Sequence, residues 1–229
     1  MIERPSPNHN ERPAGKPIDM LVIHYTGMRD VESALQRLTD PAVQVSSHYL
    51  IDEAGEVYRL VDEKRRAWHA GVSYWAGERD INGISVGIEL ANPGHEFGYR
   101  PFAEPQMTAL ISLCRGILAR HPVPPSRVLG HSDVAPARKI DPGELFDWPR
   151  LADAGIGQWP KPADGPGDLA AVQKALARFG YEVAPGGKLD EATRTALSAF
   201  QRHFRPARID GLADGETRAL LYGLVPASA

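Results

Sequence analysis

"DMLVIHYT", residues 19–26, is an apolar run rich in branched side chains and bounded by polar residues, so it reads as a buried strand that ends on a histidine. "ISVGIEL" (84–90) repeats the pattern, and "RVLGH" (127–131) gives a shorter version of it. Between the first two, "DVESALQRLTDP" reads as a short helix stopped by Pro41, and "SHYLIDEAGEVYRLVDE" as two strands turning at Ala54-Gly55. "EPQMTALISLCRGILARHP" (104–122) places Met107, Leu110, Ile111, Cys114, Ile117 and Leu118 at helical spacing and stops at Pro122. Strands interleaved with helices predict an α/β domain, a mixed central β-sheet flanked by helices.

The flanks look different. Residues 1–17 are polar and proline-rich and read as an extended arm ahead of a domain over 18–154. "GIGQWPKPADGPG" (155–167) has no periodicity and reads as a linker. Beyond it, over 168–229, "DLAAVQKALARFG", "LDEATRTALSAFQRHF" and "ADGETRALLYGL" predict a small three-helix bundle. The last two share a D-x-x-T-R start, in which Asp190 and Asp214 are the expected N-caps.

Composition narrows the class. The chain has 229 residues, 42% hydrophobic and 24% charged, the balance of a globular protein. A net charge of -3 argues against a nucleic-acid partner, which would want a basic face. No apolar run approaches the roughly 18 residues that span a bilayer. The polar start contains no apolar signal core, so a cytoplasmic location is expected if Met1 is the natural start. The single Cys114 can form no internal disulfide and reads as a core filler.

"GHSDVAPARKIDPG" (130–143) is too broken for a helix and too polar for a core strand, yet it gathers His131, Lys139 and Asp141. A zinc site in a chain with one cysteine must use nitrogen and oxygen ligands, and His24, His131 and Asp141 would supply three and leave a fourth position open. A cation so held lowers the pKa of a bound water and polarises a carbonyl. The plainer alternative is that each histidine satisfies a structural hydrogen bond at a strand end.

Five stretches, "LVIHYTGM", "SSHYLID", "AWHAGVS", "SVGIEL" and "GHSDVAPARKIDPG", resemble in order the motifs of the amidase-2 family over about residues 17–152. That family comprises zinc-dependent N-acetylmuramoyl-L-alanine amidases related to phage T7 lysozyme and peptidoglycan recognition proteins, and the chain is most similar to its AmpD and AmiD type. The resemblance implies His24, His131 and Asp141 as zinc ligands, Glu89 as the catalytic carboxylate and Lys139 as the cation beside the metal. A carboxylate there can carry the proton from the attacking water to the leaving amine. An ammonium can stabilise the oxyanion. Glu89 could instead be half of a buried ion pair, and Lys139 a solvated loop residue. His48, Trp68 and His69 fall in motifs that line the family's groove, although either histidine could simply hydrogen-bond in the core. Trp75, Arg79 and Asn82 lie in "SYWAGERDINGIS", a surface-loop pattern that could touch sugar or peptide, although a loop tryptophan is as often a packing plug. His9, His95, His121 and His203 read as surface residues.

Two patterns mislead. "GISVG" (83–87) fits a serine-hydrolase elbow, which needs a strand before the turn and a helix after it, and here the apolar strand follows. "HEFGY" (95–99) lacks the second histidine of a zincin helix.

The C-terminal region resembles the peptidoglycan-binding domain 1 family over about 165–224, through V-Q-x-x-L, G-x-L-D-x-x-T, A-F-Q-R and D-G-x-x-D-x-x-T. A helical cap that merely steadies the first domain is the alternative. Together these likenesses imply a zinc hydrolase acting on peptidoglycan or muropeptide fragments, intact or 1,6-anhydro; a monomer is expected. A wall-binding unit would favour the periplasm or cell envelope over the cytoplasm. A receptor that binds muropeptides without cleaving them is the other class, distinguished by the loss of a metal ligand.

Overall fold

The structure, a computed structural model, describes residues 1–225, so the last four residues of the expected 168–229 unit lie outside the described residues. Its strands are β1 (Ile2–Glu3), β2 (His9–Glu11), β3 (Met20–Tyr25), β4 (Tyr49–Ile51), β5 (Val57–Arg59), β6 (Arg65–Ala67), β7 (Ser85–Leu90) and β8 (Val128–Gly130). Its helices are α1 (Val31–Thr39), α2 (Ile81–Ile84), α3 (Gly94–Phe97), α4 (Glu104–Arg120), α5 (His131–Val134), α6 (Trp148–Asp153), α7 (Leu169–Phe179), α8 (Glu191–Phe204) and α9 (Gly215–Leu224). Six strands form one sheet in the order β1-β5-β4-β7-β3-β8, and β2 and β6 form an antiparallel ribbon. β4, β7, β3 and β8 run parallel, while β5 turns back antiparallel to β4.

The parallel strands are apolar on both faces because both are covered. Leu21 and Ile23 of β3 pack with Val86, Ile88 and Leu90 of β7 against Met107, Leu110, Cys114 and Ile117 of α4. Alternation turns Met20 and Val22 to the opposite face, where they meet Trp75, Ile84 and Val134. On the same face Leu50 of β4 is covered by Ala34, Leu35 and Leu38 of α1. His24 continues the Met20–Val22 row at the carboxyl end of the strand.

The segment read as an extended arm is sewn into the sheets. β1 pairs with β5 and β2 with β6, and the buried Asn8 amide donates to the carbonyls of Asp40 and Val45. The Arg12 guanidinium donates to four carbonyls, of Glu63, Asn82, Gly83 and Ser85, at 2.7–3.2 Å. Burial of this cation lowers its pKa to about 10. A polar, proline-rich sequence carries no sign of this, since the partners lie 51–73 positions away.

In the C-terminal bundle Asp168, Asp190 and Asp214 each accept the backbone amide three residues on, opening α7, α8 and α9. Residues 155–167 form no regular element, but Ala163 donates to the Ala219 carbonyl and Tyr222 to that of Pro166, so the last part of the connection is held against α9. The bundle core is continuous with the sheet domain: Val172, Leu176, Phe179 and Phe200 share one apolar cluster with Ala70, Trp75, Ile81 and Val134.

Arg12→Ala should cost about 2–4 kcal/mol by leaving four buried carbonyls short of a charged donor. That corresponds to a fall of roughly 5–10 °C in Tm for a chain of this size. Thermal unfolding followed by circular dichroism checks this, and an unchanged midpoint would show the arm to be ornamental.

Candidate metal centre

Parallel strands deliver the centre. His24 of β3 sits directly opposite Glu89 of β7, and Ile23 opposite Gly130 of β8. Register partners on neighbouring strands share a face at a spacing of roughly 5 Å, so His24 and Glu89 are adjacent. β8 ends at Gly130 and its next residue is His131. Three side chains therefore gather at the carboxyl ends of adjacent parallel strands, where open α/β sheets place their sites.

The loop read as too broken for a helix begins with one helical turn, α5. The Ala135 amide reaches the His131 carbonyl at 3.0 Å, and the Asp133 carboxylate folds back onto the Gly130 amide at 2.8 Å. The chain then returns: the Ser132 amide donates to the Asp141 carbonyl at 2.9 Å, bringing Asp141 beside His131. Tyr99 secures the exit, donating to the Pro142 carbonyl at 2.7 Å and accepting from the Leu145 amide at 3.0 Å.

The result is a triangle. His24 Nδ1 and His131 Nδ1 are 3.0 Å apart, and each lies 3.1 Å from Asp141 Oδ2. All three residues are buried. Their outer atoms decide which protons are present. His131 Nε2 lies 3.1 Å from the Ala70 carbonyl and must donate to it, which leaves Nδ1 of the neutral ring as a lone pair. That lone pair faces a carboxylate oxygen, an arrangement of acceptors that a shared cation resolves. Ligand atoms bonded at about 2.0–2.2 Å to one zinc stand about this far apart, so the set fits the ion.

A parallel chain orients His24. Its Nε2 lies 3.1 Å from His69 Nδ1, His69 Nε2 lies 3.1 Å from Ser85 Oγ, and the Ser85 hydroxyl donates to the Ile81 carbonyl at 2.6 Å. Were His24 Nδ1 to hold an ion, its Nε2–H would donate to His69, whose own Nε2–H would donate to Ser85. His69 fits there because β7 has a glycine beneath it: a Cβ on Gly87 would stand 2.5 Å from the imidazole. Ser85 of the "GISVG" pattern is thus spent on structure, and a helix precedes it while a strand follows, the reverse of a nucleophile elbow.

Burial, with His131 adding to it, lowers the His24 pKa to about 4, favouring the neutral ring a metal requires. Burial works to raise the Asp141 carboxyl, but His131 and His24 outweigh it and hold it below its ordinary range. Glu89 moves the other way: burial first, then the Asp141 charge, raise it well above the usual value, with Lys139 opposing. Its Oε2 has no hydrogen-bond partner. An open cleft of about 370 Å³ lies over the triangle, walled by Glu89, Lys139, Trp68 and His69.

The other sequence candidates divide. Trp68 stands at the rim, its indole N–H on Asn10 at 2.9 Å, and His69 lines the cleft while holding His24. His48 is buried away from the cleft, accepting the Gly87 amide at 3.0 Å, and burial lowers its pKa to about 3. Asn82 is buried too; its Oδ1 accepts the amides of His69 and Ala70, fixing the segment that braces both histidines. Trp75 is corrected: it is 1% exposed and packs edge-on against Phe179 and Tyr181 of the bundle, because a loop pattern cannot reveal a cover arriving from a distant segment. Arg79 pairs with Glu182 of the bundle, outside the cleft. His203, read as a surface residue, is 3% exposed and bonded to Asp133, while His121 is half-buried against Glu63. The sequence reading missed Arg138, which lines the cleft and donates to the Ala70 and Val72 carbonyls. It also missed the bracing by Ser85, for which Gly87 in an apolar strand was the available signal.

An α/β sheet with a buried His–His–Asp triangle beneath an open cleft, and a carboxylate beside it, is an arrangement that could hold a metal ion at a hydrolytic site. The particular family follows from comparison: residues 14–144 match the N-acetylmuramoyl-L-alanine amidase model, and the chain belongs to that family. Residues 166–221 match a peptidoglycan binding domain. The chain is 42% identical to N-acetylmuramoyl-L-alanine amidase AmiD of Escherichia coli, across 91% of this chain and 82% of the relative. It is 35% identical to 1,6-anhydro-N-acetylmuramyl-L-alanine amidase AmpD of Haemophilus influenzae, across 63% of this chain and 86% of that protein. The E. coli AmiD structure, a complex with the substrate anhydro-N-acetylmuramic acid-L-Ala-D-γ-Glu-L-Lys, superposes with TM-score 0.81 over 94% of this chain and 91% of that one, at 41% identity. Pseudomonas aeruginosa AmpDh3 superposes with TM-score 0.83 over 94% of this chain and 95% of that one, at 37% identity.

His69→Ala should weaken zinc binding by about 10–100-fold, because His24 would lose the partner that fixes its tautomer. Competition with a chromophoric chelator measures this, and an unaltered affinity would remove His69 from the centre.

Proposed function

We propose that this chain is a zinc-dependent amidase hydrolysing the bond between the lactyl group of N-acetylmuramic or 1,6-anhydro-N-acetylmuramic acid and the L-alanine of a peptidoglycan stem peptide. The observation that carries the reading is the His24–His131–Asp141 triangle beneath a cleft that also holds Glu89 and Lys139. Likeness over 94% of the chain to an amidase structure containing an anhydro-muropeptide supports the substrate class.

His24, His131 and Asp141 would hold the ion, which when bound polarises the scissile carbonyl and lowers the pKa of a water toward neutrality. Glu89 moves the proton. It takes one from the attacking water as the oxygen–carbon bond forms, then delivers it to the alanine nitrogen as the carbon–nitrogen bond breaks. The hydrogen-bond vacancy at Glu89 Oε2 suits a group whose working partner is the substrate side of the reaction. Lys139 reaches the same cleft from the loop and faces the charge that develops on the carbonyl oxygen. Trp68 at the rim offers an apolar face to the sugar or peptide.

Every group in this scheme lies on one chain, so a monomer suffices. We take 18–154 as the catalytic unit, 155–167 as the connection and 168–229 as the wall-binding unit, which raises the local concentration of scissile bonds on an insoluble polymer. No helix among the described residues is long and apolar enough to cross a membrane. The wall-binding match favours action at the envelope over the cytoplasmic location expected from the polar start. A receptor that binds without cleaving would need neither Glu89 nor Lys139 at the cleft, and their presence favours turnover.

Glu89→Gln removes the proton carrier while keeping shape and leaving the three ligands intact. Mass spectrometry of a cleaved anhydro-muropeptide should show kcat reduced by about 10²–10⁴-fold with zinc content unchanged. Near-normal turnover by that variant would refute the mechanism.

A further inference from the structure

The bundle does more than lie beside the sheet domain. His203 of α8 places Nδ1 2.7 Å from Asp133 Oδ2, and Tyr181, just after α7, donates its hydroxyl to Asp133 Oδ1 at 2.7 Å. The Asp133 side chain is fully buried and that of His203 is 4% exposed. Asp133 also accepts the Gly130 amide, so one carboxylate ties two bundle side chains to the backbone immediately before His131. The His203 ring makes a second contact, stacking on Trp148 with centroids 3.7 Å apart and planes 17° from parallel. Trp148 lies against Gly130, where an added Cβ would meet Pro142 at 2.8 Å and the indole at 3.3 Å. His203 therefore bears on both roots of the metal loop. Through Asp133 it holds the turn that carries His131, and through Trp148 it presses on the Gly130–Pro142 contact beside Asp141.

Neither contact concerns the wall. Both contacts are buried, and the Asp133 carboxylate would be left short of two donors if the bundle swung away. We propose that the C-terminal bundle is a positioning element of the metal centre, with His203 and Tyr181 setting His131 and Asp141 through Asp133 and Trp148. This rests on the reading of His131 and Asp141 as ligands, and goes beyond the bundle's role as a wall anchor.

The test uses the full chain and a soluble anhydro-muropeptide, for which wall anchoring is irrelevant. His203→Ala should lower zinc affinity, measured by chelator competition, by about 10-fold or more. It should also depress kcat on the soluble fragment while KM stays within about twofold, as expected when only the reacting geometry is disturbed. His203→Asn keeps a donor toward Asp133 and should recover much of the affinity. Tyr181→Phe, which keeps the ring and is the safer variant for folding, should show a smaller loss in the same direction. Wild-type affinity and kcat in both His203→Ala and Tyr181→Phe, with weakened retention on sacculi alone, would overturn the proposal and leave a pure anchor. A wild-type chain that binds no zinc would overturn the ligand reading and this proposal together, so the two failures are distinguishable.

Discussion

His24 Nδ1, His131 Nδ1 and Asp141 Oδ2 face one another at 3.0–3.1 Å inside the protein, a set that suits a cation among them. His131 Nδ1 and Asp141 Oδ2 stand 3.1 Å apart while the far side of the imidazole is committed to a carbonyl, and His24 completes the triangle with its far side committed to His69. With the imidazole lone pairs turned inward such a set would repel in a dry interior, and a divalent ion would turn that repulsion into coordination. The surrounding fold can be understood as the means of holding this set. Parallel strands bring His24 and Glu89 into register, β8 ends one residue before His131, and a hydrogen-bonded loop returns Asp141 to the same spot.

The same constraint explains why buried polar residues surround the centre. Asn82 holds the amides of His69 and Ala70, Ala70 then receives His131, and Ser85 passes the His69 hydrogen bond to the Ile81 carbonyl. Run in this direction, each link fixes the proton of the next and would leave Nδ1 of His24 and His131 free to hold a cation. Arg12, from the first strand-rich segment, donates to the carbonyls of Asn82, Gly83 and Ser85 and thereby supports this shell from outside. The bundle does the same from the other side through Asp133.

Much of this was legible in the sequence, and the boundary between legible and hidden has a physical cause. Branched apolar runs at 19–26 and 84–90 mark β3 and β7, and helical spacing over 104–122 marks α4, because burial of one face or two leaves a periodicity. The fold brings together the trio that the resemblance implied, with His24 and His131 where strands end and Asp141 in a compact polar loop. What stayed hidden depends on pairs far apart in the chain. Trp75 read as a loop residue that either touches sugar or plugs the local packing, because the bundle that buries it begins about a hundred positions later; His203 read as a surface residue because Asp133 lies 70 positions before it. The helical turn at His131 was missed because Pro136 and Pro142 dominate the composition of that loop, whereas the turn is short enough to finish before the first of them.

Zinc K-edge absorption spectroscopy on the purified full chain addresses the triangle itself. Two imidazole scatterers and further nitrogen or oxygen ligands at about 2.0–2.2 Å, with no sulfur, are expected for a His–His–Asp set with an open position. A sulfur shell at about 2.3 Å, or a spectrum without imidazole scattering, would contradict it.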